Sequence, residues 1–217
     1  WLKNLQNNER ETRLAFDYGF WGFNKKNAIP KSPSYKAAFD IVDISDIDFQ
    51  ANVINDGLIL FKELFGFSAQ YFVTPNGFIN NSLGGILSEA GIKYRSTSRI
   101  QREPIGNGKY RNNFHYLGQK NKYGQTYIIR NSIFEPSVIG KDWIDSCMSD
   151  INIAFYWNSP AIINSHRVNY IGALDKSNRD NGLHQLDNLL KAILGKLPDV
   201  EFLSTPQLGD LISNLNR

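Results

Sequence analysis

Residues 159–172 read SPAIINSHRVNYIG, and this stretch decides the fold class. A short apolar run that begins after Pro160 predicts a buried strand ending at Ile163. Four polar residues follow directly, among them His166, whose imidazole exchanges a proton near neutral pH. Polar groups in this place are typical of α/β proteins, because functional side chains gather at the carboxyl ends of parallel strands. The stretch therefore predicts an α/β fold with a site at the end of this strand.

The rest of the chain shows the same succession of strands and helices. Apolar residues at helical spacing predict helices over 45–65, 81–90, 141–157, 183–197 and from Thr205 onward; in the first, Phe49, Val53, Gly57, Phe61 and Leu64 form the stripe. Strands are predicted over 13–17, 70–74, 92–94, 125–131, 160–163 and 200–205. Such alternation predicts parallel pairing in a single α/β domain over residues 1–217. The residues at or just after the strand ends are Asp17, Asn76, Arg95, Asn131, His166 and Ser204.

Composition bounds the class of protein more than the activity. The chain has 217 residues, 41% of them hydrophobic, which is enough for a substantial core, and its net charge of +3 points to no particular partner. The single cysteine excludes an internal disulfide framework and a Cys-based zinc site. No apolar run approaches the ~18 residues of a membrane span, and no leader opens the chain. We therefore expect a cytoplasmic protein without a membrane partner.

Three histidines and one basic stretch are the other candidates for chemistry. His166 is expected to act in acid–base chemistry or metal binding, the alternative being a histidine that only bonds a loop carbonyl. His115 is predicted in a loop or hairpin and His184 on a solvated helix face, while Cys147 belongs to an apolar helix stripe. Residues 93–122 hold eight Lys or Arg and one acid among aromatics, a pattern that suits single-stranded nucleic acid or an anionic glycan. Such a stretch is usually a solvated excursion, so we expect no nucleic-acid partner, and GNG at 106–108 lacks the flanking elements of a phosphate loop.

Three segments together resemble the carboxyl-terminal portion of the polysaccharide deacetylase-like family. They are FKELFGFSAQYFVTPNGFINNSLGGILSEAGIKY (61–94), WNSPAIINSHRVNYIG (157–172) and PDVEFLSTPQLGDLI (198–212). The resemblance implies a distorted (β/α) barrel of about seven strands. It implies metal-dependent removal of N- or O-acetyl groups from sugars, with a late-strand histidine as general acid. His166 matches that histidine, FVTPNG stands in the place of the third motif, and EPSVIGKDW in that of the fourth.

The sequence also departs from the family pattern. It has no Asp-Asp pair and no His-x-x-x-His, and Val73 and Thr74 stand where the third-motif arginine is expected. The resemblance then implies that the ligands of a divalent metal, zinc by preference, precede Trp1 in a longer protein, and that this chain alone binds no metal tightly. We expect a barrel lacking its first strands, whose uncovered sheet edge favours self-association. The alternative is a barrel relative that never had the metal chemistry.

The sequence thus predicts a carbohydrate deacetylase-type hydrolase in which His166 protonates the departing amine or alkoxide. The residues expected to bind the carbohydrate are Arg167, Asn164, Asn76, Trp21 and Asp17. One rival is a non-catalytic glycan-binding or interaction module on the same fold. A second rival is a glycoside hydrolase, which needs two facing carboxylates, and Asp17 and Glu135 are the acids available at strand ends.

Overall fold

The computed structural model describes residues 2–19, 38–41 and 43–215, and the chain divides into two compact units. Unit 1 is Trp1–Ile128 together with Thr205–Arg217, and unit 2 is Ile129–Ser204. Each unit has an apolar core of its own. A domain is a part of a chain that folds by itself, and two compact units can belong to one domain. The single domain over residues 1–217 therefore stays a prediction.

Seven α-helices lie within the described residues. They are α1 (Leu2–Gln6), α2 (Arg10–Asp17), α3 (Asp46–Phe65), α4 (Gly84–Glu89), α5 (Trp143–Tyr156), α6 (Lys176–Lys196) and α7 (Thr205–Leu215). The helices α3 to α7 confirm the five predicted from apolar periodicity. α3 ends as expected at Gly66, whose φ of 75° is left-handed and whose N–H bonds the carbonyl of Lys62. None of the helices in the described part of the chain combines the length and apolar character of a membrane span.

The described strands form three small sheets. They are β1 (Tyr71–Val73), β2 (Tyr94–Thr97), β3 (Ile100–Pro104), β4 (Tyr110–Phe114), β5 (Thr126–Ile129), β6 (Ser132–Ile133) and β7 (Ile163–Asn164). The sheets are ordered β1-β2-β5, β3-β4 and β6-β7, and β1 with β2 and β6 with β7 pair in parallel. Because α4 and α5 lie between the partners of these parallel pairs, the protein has the predicted α/β class. The strands within the described ranges do not close into a barrel.

The basic stretch contains a hairpin, and its Lys and Arg residues are exposed with the exception of Arg95, as a solvated excursion predicts. β3 and β4 pair antiparallel, with Glu103 opposite Arg111. GNG is its turn, since Gly106, Asn107 and Gly108 have φ angles of 83°, 54° and 66°. The side chains of Gln101 and Glu103 are buried on one face of the hairpin, so this part of the chain contributes to the folded interior of unit 1.

Two apolar clusters form the cores. The core of unit 1 consists of Phe39, Ile54, Ile79, Leu83, Leu87 and Ile92, and that of unit 2 of Phe134, Cys147, Met148, Ile151, Leu189 and Ile193. Cys147 is fully buried on α5, as the stripe predicts, and burial raises the pKa of its thiol to about 11. The thiol is therefore protonated at neutral pH and serves as a small apolar group.

Three predictions from local pattern are wrong. Residues 13–17 belong to α2 rather than to a strand, because Thr12 and Ala15 are buried one turn apart and Arg13 pairs with Asp17 at i,i+4 spacing. Residues 200–204 form no strand, and the chain passes from them directly into α7. On α3 the buried side chains are Gln50 and Ile54, whereas Phe49 and Leu64 of the predicted stripe are 67% and 68% exposed. Asp17 and Ser204 are therefore not strand-end residues.

Candidate active site

His166 and Glu135 stand at corresponding positions after two parallel strands. In the register of β6 and β7, Ile133 lies opposite Asn164. Glu135 follows the end of β6 by two residues, and His166 follows the end of β7 by two residues. The ends of parallel strands meet at one edge, so the two side chains meet there although 31 residues separate them in the chain. The predicted strand that precedes His166 is confirmed, but it is shifted to Ile163–Asn164.

A short hydrogen bond joins the two side chains. His166 Nδ1 lies 2.6 Å from Glu135 Oε1. A carboxylate can only accept, so this contact assigns a proton to Nδ1. The Glu135 side chain is 13% exposed and that of His166 is 67% exposed. Since no described residue bonds Nε2 of His166, this nitrogen is open to a ligand.

Asn169 is the buried residue that holds the pair in place. Its side chain has no exposed surface, and its Nδ2 donates to Glu135 Oε2 at 2.8 Å and to the carbonyl of His166 at 2.7 Å. Its Oδ1 accepts from the backbone N–H and the hydroxyl of Ser137 at 3.1 and 2.6 Å. Both Glu135 oxygens are thus bonded, which restricts the carboxylate to one orientation.

A second polar pair flanks this arrangement. Ser165 Oγ and Tyr170 OH lie 2.7 Å apart at the two ends of the His166 loop. Burial raises the pKa of Tyr170, while the bond to Ser165 lowers it. The phenol is therefore neutral at ordinary pH and is able to donate a hydrogen bond. This pair closes the short loop that leads from β7 into the 3₁₀ helix Arg167–Tyr170.

The predicted neighbours of His166 have different roles. Arg167 opens the 3₁₀ helix with an exposed side chain. Asn164 accepts a hydrogen bond from Arg130, so its amide oxygen already has a protein partner. Asn131 donates to the carbonyl of Pro160 at 2.9 Å and accepts from the N–H of Ile162 at 2.7 Å. Asn131 is therefore a structural link between the segments that lead into β6 and β7.

Two of the predicted binding residues, Asn76 and Asp17, belong to unit 1 rather than to unit 2. Asn76 lies in unit 1, in the 3₁₀ turn Pro75–Gly77 after β1, with a φ of 53°. Asp17 ends α2 and pairs with Arg13 at 3.2 Å, so its assignment to a strand end is wrong. Trp21 lies outside the described residues. The prediction that Asn76 and Asn131 share one end of a sheet with His166 is wrong. Asn76 follows β1, which belongs to a different sheet from β7, and Asn131 directly precedes β6, whereas His166 follows its parallel partner β7.

The other two histidines are engaged in local structure. His115 directly follows β4, its Nε2 lies 2.8 Å from Gln101 Oε1, and its ring is 4.0 Å from that of Tyr127. Burial lowers the pKa of His115, which favours the neutral imidazole. His184 is exposed on α6 and lies 3.1 Å from Asn188 Nδ2, on the solvated face expected for it.

The described residues do not fit the metal that the resemblance implies. Among them, no group of three or more His, Cys, Asp or Glu side chains could hold a metal ion. A catalytic zinc site generally requires three converging protein ligands. At the candidate site Glu135 is the acid in contact with His166, and Asn169 occupies its other oxygen. That the metal ligands lie upstream of Trp1 stays a prediction.

Sequence reasoning missed two residues of the site. The sequence suggested Glu135 only as one of two carboxylates for the rival glycoside hydrolase, and it did not suggest Asn169. The signal for Asn169 is its spacing, since it follows His166 by three residues and one turn of 3₁₀ helix returns its side chain to the histidine backbone. The signal for Glu135 is its distance of two residues from the end of a strand, which becomes informative only when the register of β6 with β7 is known.

Comparisons of the chain with models of known protein families, with curated proteins and with solved structures found no match. The resemblance to the polysaccharide deacetylase-like family therefore stays a hypothesis based on the quoted segments. Interpretation of the site depends on that resemblance and on the contacts of His166.

Proposed function

We propose that the protein is a carbohydrate deacetylase-type hydrolase, with His166 as the general acid. The observation that carries this proposal is the 2.6 Å contact between His166 Nδ1 and Glu135 Oε1 beside an open Nε2. An imidazole that is oriented by a partly buried carboxylate and faces solvent with its other nitrogen is a common acid–base arrangement in enzymes. A histidine that only bonds a loop carbonyl would not need a carboxylate partner that is fixed by a second residue.

The proposed chemistry follows from these two side chains. Water adds to the acetyl carbonyl carbon and loses a proton to solvent. The tetrahedral intermediate then breaks the bond between that carbon and the sugar nitrogen or oxygen, and the bonding electron pair leaves with the sugar atom. The departing atom takes a proton from Nε2 of His166, and acetate is released. Glu135 accepts a hydrogen bond from Nδ1 and thereby holds the imidazole ring in one orientation during the transfer. Asn169 fixes Glu135 and thereby the direction in which Nε2 points.

The exposed side chain next to the histidine is the proposed substrate contact. Arg167 follows His166 directly and is exposed, which suits hydrogen bonding to sugar hydroxyls. The NH₂ group of Asn164 is a second donor, since its oxygen is bonded to Arg130. We propose that these two residues orient the sugar while its acetyl group approaches His166.

The proposal includes a distorted (β/α) barrel as the architecture. Two pairs of parallel strands support this architecture, β1 with β2 and β6 with β7. In each pair the segment that connects the two strands contains a helix. In barrels of this kind the catalytic residues follow the carboxyl ends of strands, and Glu135 and His166 both occupy that position.

The test is acetate release from an acetylated oligosaccharide, measured in buffer containing zinc with a version of the protein that includes the predicted metal ligands. We expect His166→Ala to lower turnover by about 10²–10⁴-fold, the usual contribution of a general acid. The matched control is His184→Ala, which removes an exposed histidine from α6 and should leave turnover unchanged.

Two outcomes would contradict the proposal. Equal turnover in the wild type and His166→Ala would remove this residue from the mechanism. Binding of the oligosaccharide without acetate release in any variant would instead favour the glycan-binding module.

A further inference from the structure

A cavity of about 570 Å³ lies within unit 1, and charged and amide side chains stand among the residues that line it. It is bounded by residues 80–82 before α4, by β2, by the β3–β4 hairpin and by residues 121–123. Its volume falls in the range of about 300–1,000 Å³ that is typical of small-molecule sites. The charged and amide groups on its wall indicate a hydrophilic ligand rather than an apolar one.

Arg95 is the residue in this cavity that most requires a partner. Its side chain lies on β2 and the residue is 3% exposed, yet its Nη1 has no hydrogen-bond partner among the described residues. Burial lowers the pKa of Arg95, but an arginine in a protein remains protonated at neutral pH. The Tyr127 ring lies 5.8 Å from the guanidinium and the charge of Glu103 attracts it, but neither gives Nη1 a hydrogen-bond acceptor, and a buried donor without an acceptor destabilises a fold. A bound anion would remove that cost.

The carboxylate in the cavity is already engaged elsewhere. Glu103 Oε1 accepts from the backbone N–H of Asn81 at 2.8 Å, and Oε2 accepts from Asn113 Nδ2 at 2.7 Å. The other charged residues on the cavity wall are Arg111 and Lys122, both exposed. Three cations therefore face one carboxylate whose oxygens are bonded to amides, which leaves an excess of positive charge for a ligand.

The same cavity contains an unpaired acceptor and an aromatic ring. Asn81 Oδ1 is buried and has no partner within the described part of the chain. The Tyr123 ring on the cavity wall is held against α4 so closely that a Cβ at Gly84 would lie 2.6 Å from it. A sugar hydroxyl would donate to Asn81 Oδ1, and a sugar ring suits the face of a tyrosine.

We propose that this cavity binds an acidic sugar, whose carboxylate or phosphate is bound by Arg95 and whose hydroxyl is bound by Asn81. A guanidinium matches either oxyanion with two parallel hydrogen bonds. Arg111 and Lys122 add attraction at the exposed side of the cavity. This site lies in unit 1 and does not rest on the role of His166.

The test is calorimetric titration of the full chain with four probes: trigalacturonate, glucose 6-phosphate, neutral maltotriose and inorganic phosphate. We expect one acidic sugar to bind at least about 10-fold more tightly than both maltotriose and inorganic phosphate. Which of the two binds identifies the oxyanion. We expect Arg95→Met to weaken that binding by about 10- to 100-fold. The matched control is Arg99→Met, which removes an exposed arginine from the segment between β2 and β3, outside the cavity.

The proposal is overturned if no probe binds, if maltotriose or inorganic phosphate binds as tightly as the acidic sugars, or if Arg95→Met binds like the wild type. If circular dichroism shows that Arg95→Met does not fold, Arg111→Met is the deciding variant, since the Arg111 side chain is exposed and its removal leaves no cavity in the core. That variant should bind the acidic sugar about 2- to 5-fold more weakly, and unchanged affinity there would equally overturn the proposal.

Discussion

Replacement of Gly182 by alanine should destabilise unit 2 because α6 approaches the 3₁₀ helix of the candidate site at this residue. A Cβ at Gly182 would lie 1.9 Å from the carbonyl oxygen of Asn169 and 2.9 Å from its carbonyl carbon. Ordinary carbon–oxygen contacts are about 3.3–3.6 Å. The 3₁₀ helix or α6 must therefore move by more than about 1 Å, and the obstacle is backbone rather than a flexible side chain.

The expected loss of stability combines two opposing effects. Overpacking of a well-packed interior destabilises by about 1–3 kcal/mol, and a clash with backbone belongs at the upper end of that range. Alanine is a better helix former than glycine by about 1 kcal/mol in a helix interior. We therefore expect Gly182→Ala to lower the free energy of unfolding by about 2 kcal/mol.

The assay is urea denaturation of the full chain, followed by circular dichroism. Gly195→Ala is the matched control, since Gly195 lies on the same helix and an added Cβ would have nothing within 4 Å. It should stabilise by up to about 1 kcal/mol. If Gly182→Ala is as stable as the wild type, the close approach of α6 to Asn169 is not a feature of the folded protein. The displaced Asn169 should also reduce acetate release, which connects this packing to the orientation of His166.

Three further perturbations test other parts of the structure. Glu135→Gln keeps the shape of the side chain but removes its charge, so turnover in the acetate assay should fall by about 10²-fold; unchanged turnover would contradict its role in orienting His166. Cys147, with its pKa raised to about 11 by burial, should react with a thiol reagent at pH 8 only in denaturant, and rapid reaction of the native chain would contradict its place in the core. Burial and the 2.5 Å bond to Asp210 raise the pKa of Tyr94 from 10.0 to about 12. Between pH 10 and 12 the native state therefore retains the Tyr94 proton and the unfolded state loses it. The stability that this proton contributes is full below pH 10 and is lost as the pH rises to 12. Denaturation curves of Tyr94→Phe should not show this loss of stability.

Helices were predictable from sequence where their ends are determined by local chemistry. Gly66 terminates α3 because it adopts a left-handed φ, and Asp142 begins α5 by accepting the N–H of Asp145 at 2.9 Å. Periodicity alone did not identify the buried face. On α3 the buried position Gln50 donates to the carbonyl of Asp40 at 3.1 Å while Phe49 is exposed, because tertiary contacts rather than hydropathy determine which face is covered.

The short segment 13–17 shows why strands were predicted less well. Its five residues fit either a strand or one turn of a helix, and periodicity cannot separate the two at that length. The burial of Thr12 and Ala15 and the pair of Arg13 with Asp17 decide for the helix, but burial is a property of the folded chain. Because residues 13–17 belong to a helix, Asp17 does not lie at the end of a strand.

Only part of the candidate site was predictable from the sequence, because its other residues meet His166 through the fold. His166 was found because a polar residue directly after an apolar strand is visible along the chain. Glu135 and Asn169 became its partners only through the pairing of β6 with β7 and through one turn of 3₁₀ helix. Arg95 was likewise visible in the sequence as a residue near a strand end. Its burial, with Nη1 lacking a partner among the described residues, is apparent only in the fold. Functional side chains are often those that violate the rules of burial. In this protein the partly buried Glu135 has its partners within the chain, while the buried Arg95 Nη1 has none among the described residues. This difference is why we assign Glu135 to orienting a catalytic group and Arg95 to holding a ligand.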